Sequence, residues 1–294
     1  MAIMDLTRKP AWLQKKINPA AHAEMEGLLK ELRLNTVCQQ ARCPNITECF
    51  RQRQATFLIL GRACTRLCSF CSVSKEVPLP PEQGEAAAVA EAVRRLKLSH
   101  VVITSPTRDD LPDGGARQYA ETVAEIRKAS PGTKVELLIP DFQGELDALA
   151  AVLASEPDIL GHNLETVPRQ YAIRSGADYG RSLQLLADAH RLKPELKTKS
   201  GLMLGLGEKE EELLAVFRDL IDAGCQYLSL GQYLAPSRQH YPVQRFVEPE
   251  SFEKLREEAL ALGFIHVESA PYVRSSYHAD RYGADEPPQR GEEV

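Results

Sequence analysis

From Thr56 onward, short apolar runs alternate with longer amphipathic ones, and this alternation limits the possible folds more than any other feature of the chain. The runs Thr56–Leu60, His100–Thr104, Lys134–Ile139, Asp158–His162, Lys199–Leu204 and Tyr227–Leu230 have the length and character of strands. Between them, Glu85–Leu98, Ala116–Ala129, Glu145–Ala154, Arg181–Leu192 and Glu208–Ala223 carry helical periodicity. Strands that alternate with helices form a parallel sheet with right-handed crossovers. Six such units are too few to close an eight-fold barrel, so the expected fold is α/β, a partial (β/α)6 TIM-like barrel. Ligands in such folds gather at the carboxyl ends of the strands, where the βα loops lie. The expected division is a helical, cysteine-bearing N-terminal extension over 1–54, the partial barrel over 55–245 and a C-terminal extension over 246–294. The polar tail from Asp280 has the composition of a disordered segment.

With 294 residues, 43% hydrophobic and 26% charged, the chain can bury one large core or two modest ones. Its formal charge of −5 argues against general nucleic-acid binding, which needs a basic surface to displace counterions from phosphates. No run approaches the ~20 apolar residues of a membrane helix. The N-terminal stretch MAIMDLTRKPAWLQKKINP lacks the apolar centre of a signal peptide. The expected compartment is the cytoplasm, with neither membrane nor nucleic acid as partner. A monomer is expected because no association motif is visible.

The seven cysteines are Cys38, Cys43, Cys49, Cys64, Cys68, Cys71 and Cys225. An odd number without an export signal disfavours a disulfide framework, and clustering in a cytosolic chain favours metal or redox chemistry. Cys64-Thr-Arg-Leu-Cys68-Ser-Phe-Cys71 gives a C-x3-C-x2-C spacing just after the first candidate strand. Cys38, Cys43 and Cys49 give C-x4-C-x5-C. Neither triplet has a fourth cysteine nearby. Iron–sulfur clusters are held by cysteine thiolates, commonly four. Three on one loop can hold three irons of a [4Fe–4S] cluster and leave the last open to chelate a small molecule. Zinc at Cys68 and Cys71 is the competing reading, but structural zinc takes four ligands, usually from two paired knuckles. The nearest histidines, His22 and His100, are distant in sequence and follow no ligand pattern. Cys225, just before a strand, reads as a small core hydrophobe.

The C-x3-C-x2-C spacing, with the aromatic Phe70 beside Cys71, resembles the radical S-adenosylmethionine superfamily. Gly201-Leu-Met203-Leu-Gly205-Leu-Gly207-Glu208 is similar to that superfamily's G-x-I-x-G-x-x-E run, changed conservatively at Met203. Its glycines would let backbone approach an adenine closely. A plain strand-to-helix turn, with Glu208 near the helix N-terminus, is the bland alternative. His162-Asn163-Leu-Glu165-Thr166 ends the fourth strand, where ribose-binding groups would sit, or where a polar cap would sit without any ligand. The resemblance implies S-adenosylmethionine contacts at Asn163, Glu165, Arg174, Ser200, Gly201, Met203, Gly205 and Glu208. It also implies that the open iron binds the cofactor's amino and carboxylate groups, and that an electron from the cluster then releases methionine and a 5′-deoxyadenosyl radical.

Longer runs narrow the resemblance to the lipoyl synthase family. They are Arg42-Cys43-Pro44-Asn45-Ile46, Glu48-Cys49, Cys64-Thr65-Arg66, Arg108-Asp109-Asp110-Leu111, Asp113-Gly114-Gly115, Lys199-Ser200-Gly201, Gly231-Gln232-Tyr233-Leu234 and Val273-Arg274-Ser275-Ser276-Tyr277-His278-Ala279. The likeness runs from about residue 30 to 280. Phe50, Arg62 and Ser105-Pro106-Thr107 depart from the family's usual Trp, acidic residue and S-V-D. The resemblance implies a second, auxiliary [4Fe–4S] cluster on Cys38, Cys43 and Cys49, capped by a serine of the RSSY run. Ser276 matches that serine, with Ser275 the neighbouring alternative; a turn with serine hydroxyls bonded to backbone is the reading without a cluster. A serine oxygen is an unusually hard ligand for such a site, which suits a cluster that must be dismantled.

The implied substrate is an octanoyl chain on a lysine of a lipoyl carrier domain, in 2-oxoacid dehydrogenase E2 components or the glycine cleavage H protein. Carbons C6 and C8 offer no acidity, so hydrogen abstraction by a radical is needed before sulfur from the auxiliary cluster can be inserted. Two S-adenosylmethionine are implied for the two sulfurs, with ferredoxin or flavodoxin as electron donor. A methylthiotransferase, a biotin-synthase-like sulfur inserter and a non-catalytic electron-transfer protein are the competing readings. The first two would not be expected to join this N-terminal triplet to a C-terminal RSSY, and an electron-transfer protein needs neither the G-x-M-x-G-x-x-E run nor an open iron.

Overall fold

The computed structural model describes residues 9–14, 23–40, 43–51, 54–277, 279 and 282. The polar tail expected to be disordered lies outside the described residues apart from Tyr282. After helix α1 (Ala23–Glu31) comes the two-residue strand β1 (Asn35–Thr36), then the short helices α2 (Val37–Gln40) and α3 (Ile46–Arg51). Strand β2 (Thr56–Leu58) leads through the second cysteine triplet to α4 (Glu85–Leu96). There follow β3 (His100–Thr104), α5 (Ala116–Ala129), β4 (Lys134–Leu138), α6 (Leu146–Ala154), β5 (Ile159–Gly161) and α7 (Tyr179–Leu192). The series closes with β6 (Lys197–Leu204), α8 (Glu210–Asp222), β7 (Tyr227–Gln232), α9 (Pro249–Leu262) and β8 (His266–Ser269).

The strands pair in chain order, β1 antiparallel to β2 and every later pair parallel, as one eight-stranded sheet. Its two edges, β1 and β8, do not pair with each other, so the barrel is open. All six strands and five helices read from the sequence are present, with boundaries moved by a few residues. The structure adds a seventh parallel strand, β8, together with α9 before it and the antiparallel β1. Both edge strands come from residues assigned to the terminal extensions, which are therefore joined to the sheet.

Alternation along each strand explains what faces where. Val101, Ile103, Val135, Leu137 and Leu160 face outward into a core shared with α4, α5 and α6. Leu202, Leu204, Leu228, Leu230 and Val267 do the same against α8 and α9. The opposite residues line the lumen, and they include His100, Glu136, Gly161, Lys199, Gly201, Ser229 and Gly231. A closed barrel of this type is filled by branched apolar side chains. This lumen carries charged groups and glycines instead, and neighbouring chain packs against Gly201 and Gly231.

Candidate functional site

The second triplet lies on the loop leaving the carboxyl end of β2. Backbone bonds fasten that loop to its surroundings: Cys64 N–H donates to Ser74 O at 2.9 Å, Thr65 N–H to Thr107 O at 3.0 Å, and Ser69 N–H to Ile173 O at 2.9 Å. The departure at Ser105-Pro106-Thr107 therefore keeps this anchor. Arg66 holds the loop from within. Its guanidinium forks onto Asp109 at 2.8 and 3.0 Å and onto the fully buried Asp141 at 2.6 and 3.0 Å. Burial alone would raise the Asp141 pKa, but the Arg66 bonds and charge hold its carboxyl well below the usual carboxylate range. Arg108 acts separately, bonding Asp110 at 2.8 Å and Leu60 O at 2.9 Å. The thiols point to a half-buried, partly open site, since Leu67 between them is 63% exposed. Burial and the neighbouring Cys71 push the Cys68 thiol up to about 11, and burial raises Cys71 as well. Such thiols stay neutral until a metal displaces the proton.

Around this loop stand the residues expected to meet S-adenosylmethionine. Asn163 Nδ2 donates to Glu165 Oε1 at 3.1 Å and to Ser275 Oγ at 2.7 Å. Burial raises the Glu165 pKa, and the Arg174 charge opposes it. Arg174 Nη1 donates to Tyr171 OH at 2.5 Å and to Ser182 Oγ at 3.3 Å. Gly201 is needed for space, because a Cβ there would lie 2.9 Å from Asn163 Oδ1 and 2.7 Å from Ser229 Oγ. At Gly205 φ is +94°, and a Cβ would meet Arg245 O at 2.3 Å. Glu208 braces this turn: its carboxylate accepts from Gly205 N–H at 2.7 Å and Leu206 N–H at 2.8 Å. The next helix begins only at Glu210, so Glu208 closes the loop ahead of that helix. Met203 is half-buried on the lumen face. Ser200 is placed differently, on the face of Leu202 and Leu204, with its hydroxyl accepting from Leu164 N–H at 3.2 Å. It supports the Asn163–Glu165 loop from behind. His162 Nε2 and Thr166 Oγ1 are buried here without partners, as expected where a polar ligand completes a site.

The first triplet lies at the other end of the strands. Cys38, Cys43 and Cys49 line a cavity of about 210 Å³ with Thr56, Lys97, Leu98, Ser99, His100, Arg274, Ser276 and Tyr277. Thr56 and His100 open their strands, so the cavity sits at the amino ends, on the barrel floor. Burial and the neighbouring Cys43 push the Cys38 thiol up to about 11. The RSSY run crosses the lumen as a strap. Val273 packs on Gly231 of β7, Ser275 takes the Asn163 hydrogen bond, and Ser276 accepts from Thr56 Oγ1 at 2.6 Å. Asn45 Nδ2 donates to Tyr272 O at 2.6 Å and Tyr277 OH to Glu48 Oε1 at 2.8 Å, tying the strap to the N-terminal extension. Ser276 thus lines the cavity with the three cysteines, and Ser275 does not.

Three thiols and a hydroxyl around one cavity fit an iron–sulfur cluster. Among the described residues no three of His, Cys, Asp and Glu converge tightly enough to hold a single metal ion. A cluster instead spreads its ligands over several irons. Cys225 is buried in the core beside β6 and β7, and burial pushes its thiol up to about 12, in keeping with a packing role. The sequence did not reveal the Arg66–Asp109–Asp141 brace, nor a buried row of His100, Glu136 and Lys199 beside the floor cavity. Glu136 Oε1 accepts from Lys199 Nζ at 2.9 Å.

Residues 58–220 match the family model described as the Radical SAM superfamily. A lipoyl synthase of Geobacter sp. (strain M21) is 79% identical over 290 residues, covering 98% of this chain and 100% of that one. The lipoyl synthase of Citrifermentans bemidjiense is 78% identical with the same coverage, and that of Geobacter metallireducens 71% identical over 95% of this chain and 99% of its own. Among solved structures, a methylornithine synthase superposes with TM-score 0.54 at 14% identity, covering 83% of this chain and 81% of its own. Streptococcus suis SuiB bound to its precursor peptide gives 0.55 at 11%, covering 85% and 61%. At such low identity these structures share the fold alone. The near-complete coverage by relatives of high identity settles the family: the chain belongs to the lipoyl synthases of the radical S-adenosylmethionine superfamily.

Proposed function

We propose that the chain inserts two sulfur atoms, at C6 and C8, into an octanoyl group carried on a lysine of a lipoyl carrier domain. The observation that carries this reading is the pair of cysteine triplets set at opposite ends of one open barrel, with Ser276 beside the first. When bound, two [4Fe–4S] clusters and S-adenosylmethionine supply the radical and the sulfur. Cys64, Cys68 and Cys71 would hold the cluster that activates the cofactor. Asn163, Glu165, Arg174, Gly201, Met203, Gly205 and Glu208 would shape the cofactor's berth, and Ser200 would brace it. Cys38, Cys43, Cys49 and Ser276 would hold the auxiliary cluster; the Thr56 hydrogen bond favours Ser276 over Ser275.

Each group has a task that its surroundings support. Arg66 keeps the open loop in one shape through two fixed carboxylates. Gly201 and Gly231 let the Asn163 side chain and the Val273 carbonyl close against the sheet, so that the strap and the loop after β5 can pack into the lumen. The division at 54 and 245 is functional: the extensions supply the auxiliary ligands and the central unit supplies the radical. The partners are octanoylated E2 and H-protein domains and an electron donor such as ferredoxin or flavodoxin. The enzyme acts as a monomer in the cytoplasm; no helix among the described residues is long and apolar enough to cross a membrane.

Mass spectrometry of an octanoylated carrier peptide tests the reading, after anaerobic incubation with reconstituted protein, reductant and S-adenosylmethionine. The expected product carries two additional sulfurs. An unchanged peptide from a sample with both clusters loaded would overturn the assignment.

A further inference from the structure

The barrel floor holds a buried group that the proposed reaction leaves without a task. His100 opens β3, lines the floor cavity with Cys38, Cys43, Cys49 and Ser276, and is only 8% exposed. Its Nδ1 is buried and has no hydrogen-bond partner. Its Nε2 stands 3.3 Å from Glu136 Oε2, at an angle that completes no hydrogen bond. Buried polar atoms are paired in nearly all native structures, so an open nitrogen on a cavity wall points to a partner within that cavity. Glu136, beside the ring on β4, is fixed through Oε1 by Lys199 Nζ of β6 at 2.9 Å. The Lys199 ammonium lies 3.6 Å from the centre of the Tyr282 ring, which plugs the floor from the chain's C-terminal side. A charged pair with no exposure would be an expensive way to fill space, but it suits a group that must be aimed.

We propose that His100 is a positioning residue for the cluster held in the floor cavity, donating a hydrogen bond from Nδ1–H to that group, with the Glu136 carboxylate standing beside its other nitrogen. Its role presupposes the cluster assignment made above and adds a function for a side chain outside the ligand set. Three thiols and a hydroxyl already supply four ligands, so the imidazole serves as donor to the cluster and leaves the irons to them. Hydrogen bonds to cluster sulfurs are among the levers that set reduction potential, because they stabilise the more negative, reduced form. Two further basic side chains line this wall, Lys97 and Arg274, and Arg274 is partly spent on Val273 O at 2.6 Å.

The test uses the full chain carrying Cys64→Ala, Cys68→Ala and Cys71→Ala, reconstituted anaerobically so that only the floor cluster remains. Iron per chain and the midpoint potential are read in this parent, in His100→Phe, which keeps a ring without a donor, and in His100→Gln, which keeps an N–H. Removing the donor is expected to make reduction about tenfold less favourable, a fall of ~59 mV for one electron. The Gln variant is expected to recover at least half of that fall. A Phe potential equal to the parent's, or a Gln potential as low as that of Phe, overturns the role of His100. If Phe excludes iron, the smaller His100→Leu is read in its place against the same outcomes. A parent that retains no four-iron cluster overturns the cavity's assignment itself.

Discussion

His162 meets Ile139 O through Nδ1 at 2.9 Å, and its other nitrogen is buried without a partner. Burial first, and the nearby Arg174 charge second, push its pKa down from 6.5 to about 4. The unfolded chain takes up this proton at a higher pH than the folded one. The stability it contributes is therefore complete above about pH 6.5 and is lost as pH falls toward 4. The shift corresponds to something on the order of 3 kcal/mol. Glu165, raised by burial, works in the opposite sense, so the difference between parent and variant is the informative quantity. Urea unfolding at pH 7 and pH 4.5 should show the parent losing clearly more stability than His162→Gln. Equal losses would exclude the titration of His162 as the cause. At this scale the sequence was only partly readable. Cysteine spacing marked the thiols because ligands on one loop are neighbours in sequence. Arg66 showed no such pattern, since Asp109 and Asp141 reach it from 43 and 75 residues away.

Among the elements, the strap over Val273–Tyr277 depends on one glycine of β7. A Cβ at Gly231 would stand 2.0 Å from Val273 O, a clash with backbone that no rotamer relieves. Gly231→Ala should push the strap off β7 and separate Ser276 from Thr56. We expect that variant to lose most of the iron bound at the floor while keeping reductive cleavage of S-adenosylmethionine, read by iron assay and by methionine release. Full iron retention would show that the strap tolerates the displacement. The elements that sequence periodicity revealed are those buried on both faces, such as HVVIT at β3, which reads as one apolar run. Strand β8, His266-Val-Glu-Ser269, turns two polar residues to the lumen and is four residues long, so it gives no such run. Helix α9 was missed despite two readable signals, Pro249 in its first turn and Gly263 at φ +117° just past its end.

For the whole molecule, the central feature is the separation of the two triplets to opposite ends of the strands. Spacing alone divides six cysteines into two sets but cannot separate them in space. That depends on β1, an antiparallel strand of two residues that returns the N-terminal extension beneath the sheet. Reconstituted protein should hold close to eight irons, and replacing either triplet by alanine should leave about four. Loss of Cys64, Cys68 and Cys71 should abolish reductive cleavage of S-adenosylmethionine. Loss of Cys38, Cys43 and Cys49 should leave cleavage measurable and stop sulfur insertion; lipoyl product from that variant would contradict a sacrificial cluster. The strap gives this separation a gauge. Ser275 is bonded to the cofactor loop through Asn163 and Ser276 to the floor through Thr56, yet one peptide unit, about 3.8 Å between α-carbons, joins them. Both workstations are thus calibrated against the same two adjacent residues. With a single residue inserted between them, the serines could not keep both bonds unless the strap shifted or bulged.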